Sequence, residues 1–122
     1  MRRDPPLRLI RRLAVVPADQ QFTTAITAGE LLYGAARHGS PELAERVRGV
    51  IAGAVAVLPF DLAAADVYGP LRADLEATGR KLDEPDLRIA SIALARRLTL
   101  VTGNVRHFDR VRGLAVENWL SD

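Results

Sequence analysis

Residues 83–102 constrain this chain more than any other stretch. Asp83-Glu84-Pro85-Asp86 reads as a helix start, with Asp83 as the cap, Pro85 in the first turn and acids at the positive end of the helix dipole. The helix predicted over Asp86–Arg97 carries Leu87, Ile89, Ala90, Ile92, Ala93 and Leu94. It is apolar on most sides and so belongs inside a core. Leu98–Thr102 (LTLVT) follows as a continuous apolar run of strand length, the pattern of a buried parallel strand. Gly103-Asn104 then turns the chain.

The rest of the sequence repeats this alternation. Residues 5–13 read as a short helix with Pro5 and Pro6 near its start. Gln20–Ala25 is a weak strand, favoured by Phe22 and the threonines. Thr27-Ala28-Gly29-Glu30 has the spacing of a capping box, Thr27 as the cap and Glu30 three residues on. A helix is expected from there to about Arg37, stopped by Gly39. Ser40-Pro41 opens the next, to about Ile51. Ala54–Phe60 is a short apolar strand, and Asp61 caps a helix with Leu62, Ala65, Tyr68, Leu71 and Leu75 at helical spacing. Gly79 ends it, and Leu114–Trp119 is a last short strand. Alternating strands and helices imply crossover units, hence an α/β fold with a mostly parallel sheet flanked by helices. Ligands of such sheets sit beyond the strand C-termini. Thr102 and Asn104 lie at one such end, and Glu30 and Asp86 each stand near a helix start.

Composition narrows the chemistry. A length of 122 residues makes one domain, spanning the chain. The absence of cysteine excludes a disulfide scaffold, a thiolate zinc site and a cysteine nucleophile. No apolar run approaches a membrane span, and the basic N-terminal stretch lacks the apolar core of a signal peptide, so a cytoplasmic location away from membranes is expected. Of 17 basic residues only Lys81 is a lysine. Five arginines fall within residues 1–12, a stretch able to meet phosphates, though an exposed helix face explains it as simply. His38 and His107 are isolated, with no paired histidines for zinc. No glycine stretch has phosphate-loop spacing, no Gly-x-Ser-x-Gly elbow is present, and six aromatics make no stacking platform for bases.

Two acids remain, Glu30 and Asp86. A carboxylate at a helix start that faces a strand end is placed to hold a hard divalent cation, which takes oxygen ligands and keeps several waters. Such a cation polarises a phosphate oxygen and supplies hydroxide at neutral pH. Each acid also has a local explanation. Glu30 is the reciprocal partner of a capping box, and Asp86 is a third-position acid favoured by the dipole. Spacing alone leaves both readings open. Asp83, Glu84 and Asp109 read as solvated helix-end acids.

The segment FTTAITAGELLYGAARHG resembles the strand and Glu-Leu-x-x-Gly helix of the PIN-domain nucleases, and more narrowly of the VapC toxins of bacterial toxin–antitoxin pairs. The run from VLPFDLAAADVYG to GLAVENW is similar to the rest of that pattern: the Asp-Leu-x-Ile-Ala helix start, the Val-Thr-x-Asn turn, a His-Phe variant after it, and the closing Gly-Leu-x-Val-x-x-Trp. The likeness covers residues 21–119. It implies a three-layer α/β fold and a Mg²⁺-dependent endoribonuclease, with Mn²⁺ as a substitute. It also implies a tRNA or ribosomal RNA substrate, a VapB-type antitoxin that holds the toxin inactive, and a homodimer. Glu30 matches the acid of Glu-Leu-x-x-Gly, Asp86 matches the metal-ligating acid of the later helix, and Thr102 and Asn104 match the polar turn beside the metal.

Two departures stand out. The family opens with an apolar strand ending in an Asp that ligates metal. Asp4 follows Met-Arg-Arg, and Asp19 lies too close to Glu30, so the first strand and its ligand are expected to be missing from this chain. The alternative function is then a truncated, inactive remnant that only binds the antitoxin or dimerises. Second, His107 stands where the family often has an acid. A neutral His is a poorer Mg²⁺ ligand than a carboxylate, but a protonated one contacts phosphate. Arg88, Arg106 and Arg110 are candidates for a phosphate-holding rim.

Overall fold

The computed structural model of the chain describes residues 22–54, 56–102 and 104–118. The helix expected over 5–13, together with Asp4 and Asp19, lies outside the described residues. The elements run β1 (Thr23–Thr24), α1 (Ala25–His38), α2 (Pro41–Gly53), β2 (Val57–Leu58), α3 (Leu62–Ala77), α4 (Glu84–Ala95), β3 (Leu100–Val101), α5 (Val105–Phe108) and β4 (Val116–Glu117).

Both strand pairs are parallel, as the alternation predicts. β1 lies beside β2, with Thr23 opposite Val57 and Thr24 opposite Leu58. β3 lies beside β4, with Leu100 opposite Val116 and Val101 opposite Glu117. The ladders are shorter than the apolar runs suggest. After α4 the chain turns through Arg97, a non-glycine residue with φ of 56°, and the Leu98 amide donates back to the Ala93 carbonyl at 2.9 Å. This closes the helix end and removes Leu98 from the strand. The rest of LTLVT is not deeply buried either. Leu100 is half-buried and Val101 is 38% exposed, which corrects the expectation of a strand covered on both faces.

α4 is the central element that its composition predicts. Leu87, Ala90, Ser91, Ile92 and Ala93 are all buried. Ile92 packs with Leu58 and Ala64, with Ile26, Phe60 and Leu98 around them. Ala90 packs with Phe108 and Val111, with Leu71, Leu94 and Leu100 around them. A helix clothed by two apolar clusters needs apolar residues on more than one face. The buried Ser91 hydroxyl is satisfied by the Leu87 carbonyl at 2.8 Å.

The helix starts follow cap chemistry, with one shift. Thr24, not Thr27, caps α1: its backbone is extended and its hydroxyl accepts from the Thr27 amide at 2.9 Å. The Thr27 hydroxyl instead meets that of Thr24 at 3.0 Å. Glu30 therefore lies beyond the first turn of α1 and has no capping role, contrary to the sequence reading. The Asp61 carboxylate caps α3 through the Ala64 amide at 3.1 Å and pairs with Arg96 at 3.2 Å, tying the start of α3 to the end of α4. Asp83 is extended at the cap position of α4, but its side chain makes no capping bond. Gly39 and Gly79, with φ of 67° and 69°, end α1 and α3 as expected. No helix among the described residues is long and apolar enough to cross a membrane.

Candidate active site

The site assembles where the chain leaves β3. The Thr102 hydroxyl accepts from the Asn104 amide at 3.0 Å, and the Asn104 carbonyl accepts from the His107 amide at 3.0 Å. This turn starts α5, whose Phe108 is buried in the second apolar cluster. With the turn and Phe108 both fixed, His107 faces the first turn of α4. Its Nδ1 lies 3.0 Å from Oδ2 of Asp86, a contact across 21 residues of sequence. An ionised carboxylate only accepts, so Nδ1 carries the hydrogen and donates it. Both side chains are partly shielded, His107 40% and Asp86 26% exposed.

The structure thus links Asp86 to His107, His107 to Asn104 and Asn104 to Thr102, just past the C-terminal end of β3. The Asn104 side chain is exposed and makes no cap bond. Glu30 sits on α1, which packs against α4. It is exposed, and no hydrogen bond or ion pair joins it to a described residue. Among the described residues no three acids, histidines or cysteines gather into a cation cage. The donors that are present have the chemistry a hard cation requires. Asp86 Oδ2 is held by His107, while Oδ1 has no protein partner among the described residues. A hard divalent cation retains several waters and needs only one or two carboxylates, and Asp86 is of that chemistry.

Sequence reasoning missed a network just upstream. The Tyr68 hydroxyl donates to Glu84 and lies 2.7 and 2.8 Å from its two carboxylate oxygens. Arg72 donates to the Tyr68 hydroxyl at 3.0 Å, and Arg88 pairs with Glu84 at 3.2 Å. Phe60 meets the Tyr68 ring edge-on, and Arg88 lies over the Phe60 ring. The Tyr68 hydrogen bond, aided by Arg72 and Arg88, holds the Glu84 carboxyl below its ordinary range. Glu84 is therefore an anchored residue, not merely a solvated helix-end acid, and it fixes the first turn of α4 two positions before Asp86. Nothing in the spacing of Tyr68 marks this role, because the residue also fits the apolar stripe of α3. Two of the expected rim arginines are engaged within the protein: Arg88 here, and Arg110 on the Lys81 carbonyl at 2.8 Å. Arg106 is exposed.

The sequence matches the PIN domain family over residues 2–114. A tRNA(fMet)-specific endonuclease VapC of Shigella flexneri is 42% identical over 99 residues, covering 79% of this chain and 73% of that protein. A ribonuclease VapC2 of Haemophilus influenzae is 32% identical over 115 residues, covering 94% and 86%. The fold is similar to the crystal structure of DNA-bound VapBC from Salmonella typhimurium, with a TM-score of 0.86 at 33% identity over 93% of this chain and 86% of that one. It is also similar to VapBC-1 from nontypeable Haemophilus influenzae, with a TM-score of 0.83 at 27% identity over 95% and 87%. The chain belongs to the PIN-domain family and, within it, to the VapC-type toxin ribonucleases.

Proposed function

We propose that this chain hydrolyses RNA phosphodiester bonds as the toxin of a toxin–antitoxin pair, with Asp86 and Glu30 holding a divalent cation, Mg²⁺ or in its place Mn²⁺. The observation that carries the reading is the Asp86 carboxylate on α4, fastened to His107 through one oxygen and, among the described residues, open at the other. A bound divalent cation there supplies Lewis-acid stabilisation of phosphate charge and an acidified water. The protein's own groups do the rest. Asp86 offers Oδ1, and Glu30 on α1, with no partner among the described residues, offers a second carboxylate that also orients a water for attack. The Thr102 hydroxyl and Asn104 amide border the site as hydrogen-bonding groups for phosphate oxygens or waters. Arg106 neutralises a flanking phosphate, giving affinity that falls with salt.

A tRNA is the favoured substrate, since a relative 42% identical is named for cutting one. A VapB-type antitoxin is the favoured partner, since similar structures are VapBC complexes. Leu31, Tyr33 and Val50 are individually exposed on α1 and α2, where a protein partner or a second copy can cover them. The proposed setting is the cytoplasm, where tRNA resides. Cleavage of a tRNA pool with Mg²⁺, compared with the same reaction in chelator and with Asp86→Ala, tests the reading. Loss of cleavage in both is expected, and equal rates overturn it. One rival rests on the first metal-binding Asp expected to be missing: a truncated, inactive remnant that only binds the antitoxin or dimerises. Antitoxin capture with no cleavage at any Mg²⁺ concentration decides for that rival.

A further inference from the structure

We infer that His107 is a positioning residue for Asp86: its Nδ1–H holds Oδ2 and so presents Oδ1 to the cation. The inference rests on the cation reading above and adds to it a role for a residue that the sequence left unassigned. Three observations carry it. The contact is a direct hydrogen bond of 3.0 Å between groups 21 residues apart, so it depends on tertiary structure. His107 is held from behind on both sides, by its amide bond to Asn104 and by the buried neighbour Phe108, whose ring meets the imidazole edge-on. Asp86 has no other described partner, so without His107 its carboxylate is free to rotate about its side-chain torsions.

Fixing one oxygen has a defined effect on the other. A ligating carboxylate that is hydrogen-bonded through its second oxygen loses less rotamer freedom on binding, and partners of this kind are typically worth about 10–100-fold in metal affinity. The chemistry also specifies a tautomer. The hydrogen must sit on Nδ1, and in the neutral imidazole that leaves Nε2 bare.

Two measurements test this, and neither depends on turnover. The first is the ¹⁵N spectrum of His107 in the cation-free full chain at pH 8, where the Nδ1–H tautomer is expected. An Nε2–H tautomer overturns the inference. The second is Mn²⁺ titration of wild type, His107→Asn, His107→Gln, His107→Leu and Asp86→Asn. Asn places an amide N–H near the Nδ1 position and should bind Mn²⁺ within about threefold of wild type. Gln and Leu lack a donor at that position and should bind about 10-fold or more weakly, while Asp86→Asn should lose most binding. If Leu fails to fold, Gln at this partly exposed position decides the matter. A wild type that binds no Mn²⁺ overturns the cation reading and this inference with it. A wild type that binds, with Gln and Leu variants of equal affinity, overturns the inference alone.

Discussion

α4 and α2 are helices of nearly equal length, 12 and 13 residues, and they stand at opposite extremes of burial. α4 buries five side chains and is gripped by two apolar clusters. α2 buries none, and its Val50 is 69% exposed. The difference is written in their residues. α4 has apolar side chains on most of its circumference, whereas Glu42, Glu45, Arg46 and Arg48 crowd α2. Stability is therefore concentrated around α4, the same helix that presents Asp86, so the proposed metal-binding acid stands on a well-supported element of the described fold. Glu30 stands on α1, which packs against the exposed helix α2. The proposed cation thus draws one ligand from the buried helix α4 and one from the more exposed α1.

Substitutions sharpen this contrast. Ile92→Ala, at 1% exposure, should cost about 3–4 kcal/mol in chemical denaturation, enough to threaten a domain of ordinary stability. A cost near that of a surface change would show that α4 is not the core. Thr24→Ala removes the cap of α1 and should cost about 1 kcal/mol, while Thr27→Ala should cost less, because the Thr27 amide bonds to Thr24 in either case. Arg97→Gly should stabilise by about 0.5–1 kcal/mol, since the left-handed backbone there strains any residue with a Cβ. Tyr68→Phe should weaken the protein slightly, and in a pH-dependent way. Glu84 is held below its ordinary range in the folded state, so its stabilising effect is present above the unfolded carboxylate value, about 4.3, and fades as pH falls through the lowered folded value. Denaturation midpoints of wild type and variant should converge in acid and separate near neutrality. Smallest of all, Val50→Ser should stay within about 0.5 kcal/mol in the isolated chain yet weaken capture of a protein partner.

Local rules read much of this from the chain. The apolar circumference of the Asp86–Arg97 segment marks the central helix, Gly39 and Gly79 mark helix ends, and the alternation of elements marks parallel strands. The cap of α1 falls at Thr24 although the capping-box spacing points to Thr27, because the backbone is extended at Thr24 and already helical from Ala25. α5 escaped because four residues carry too little periodicity to register. The long-range contacts were invisible for a different reason. His107 to Asp86 and Tyr68 to Glu84 depend on how helices and turns pack, which no spacing within one segment encodes. Glu30 and Asp86 were legible as candidates, and removal of the capping explanation leaves Glu30 without a local structural task.

The central claim is that Glu30 and Asp86 serve one cation, and a double-mutant cycle on RNA cleavage tests it most directly. Wild type, Glu30→Gln, Asp86→Asn and the double variant are compared at saturating Mg²⁺. If the two acids act as a unit, each single substitution should abolish most of the rate, on the order of 100-fold or more, and the double should lose little beyond either one. Losses that multiply, or a single variant cutting at the wild-type rate, would contradict the account.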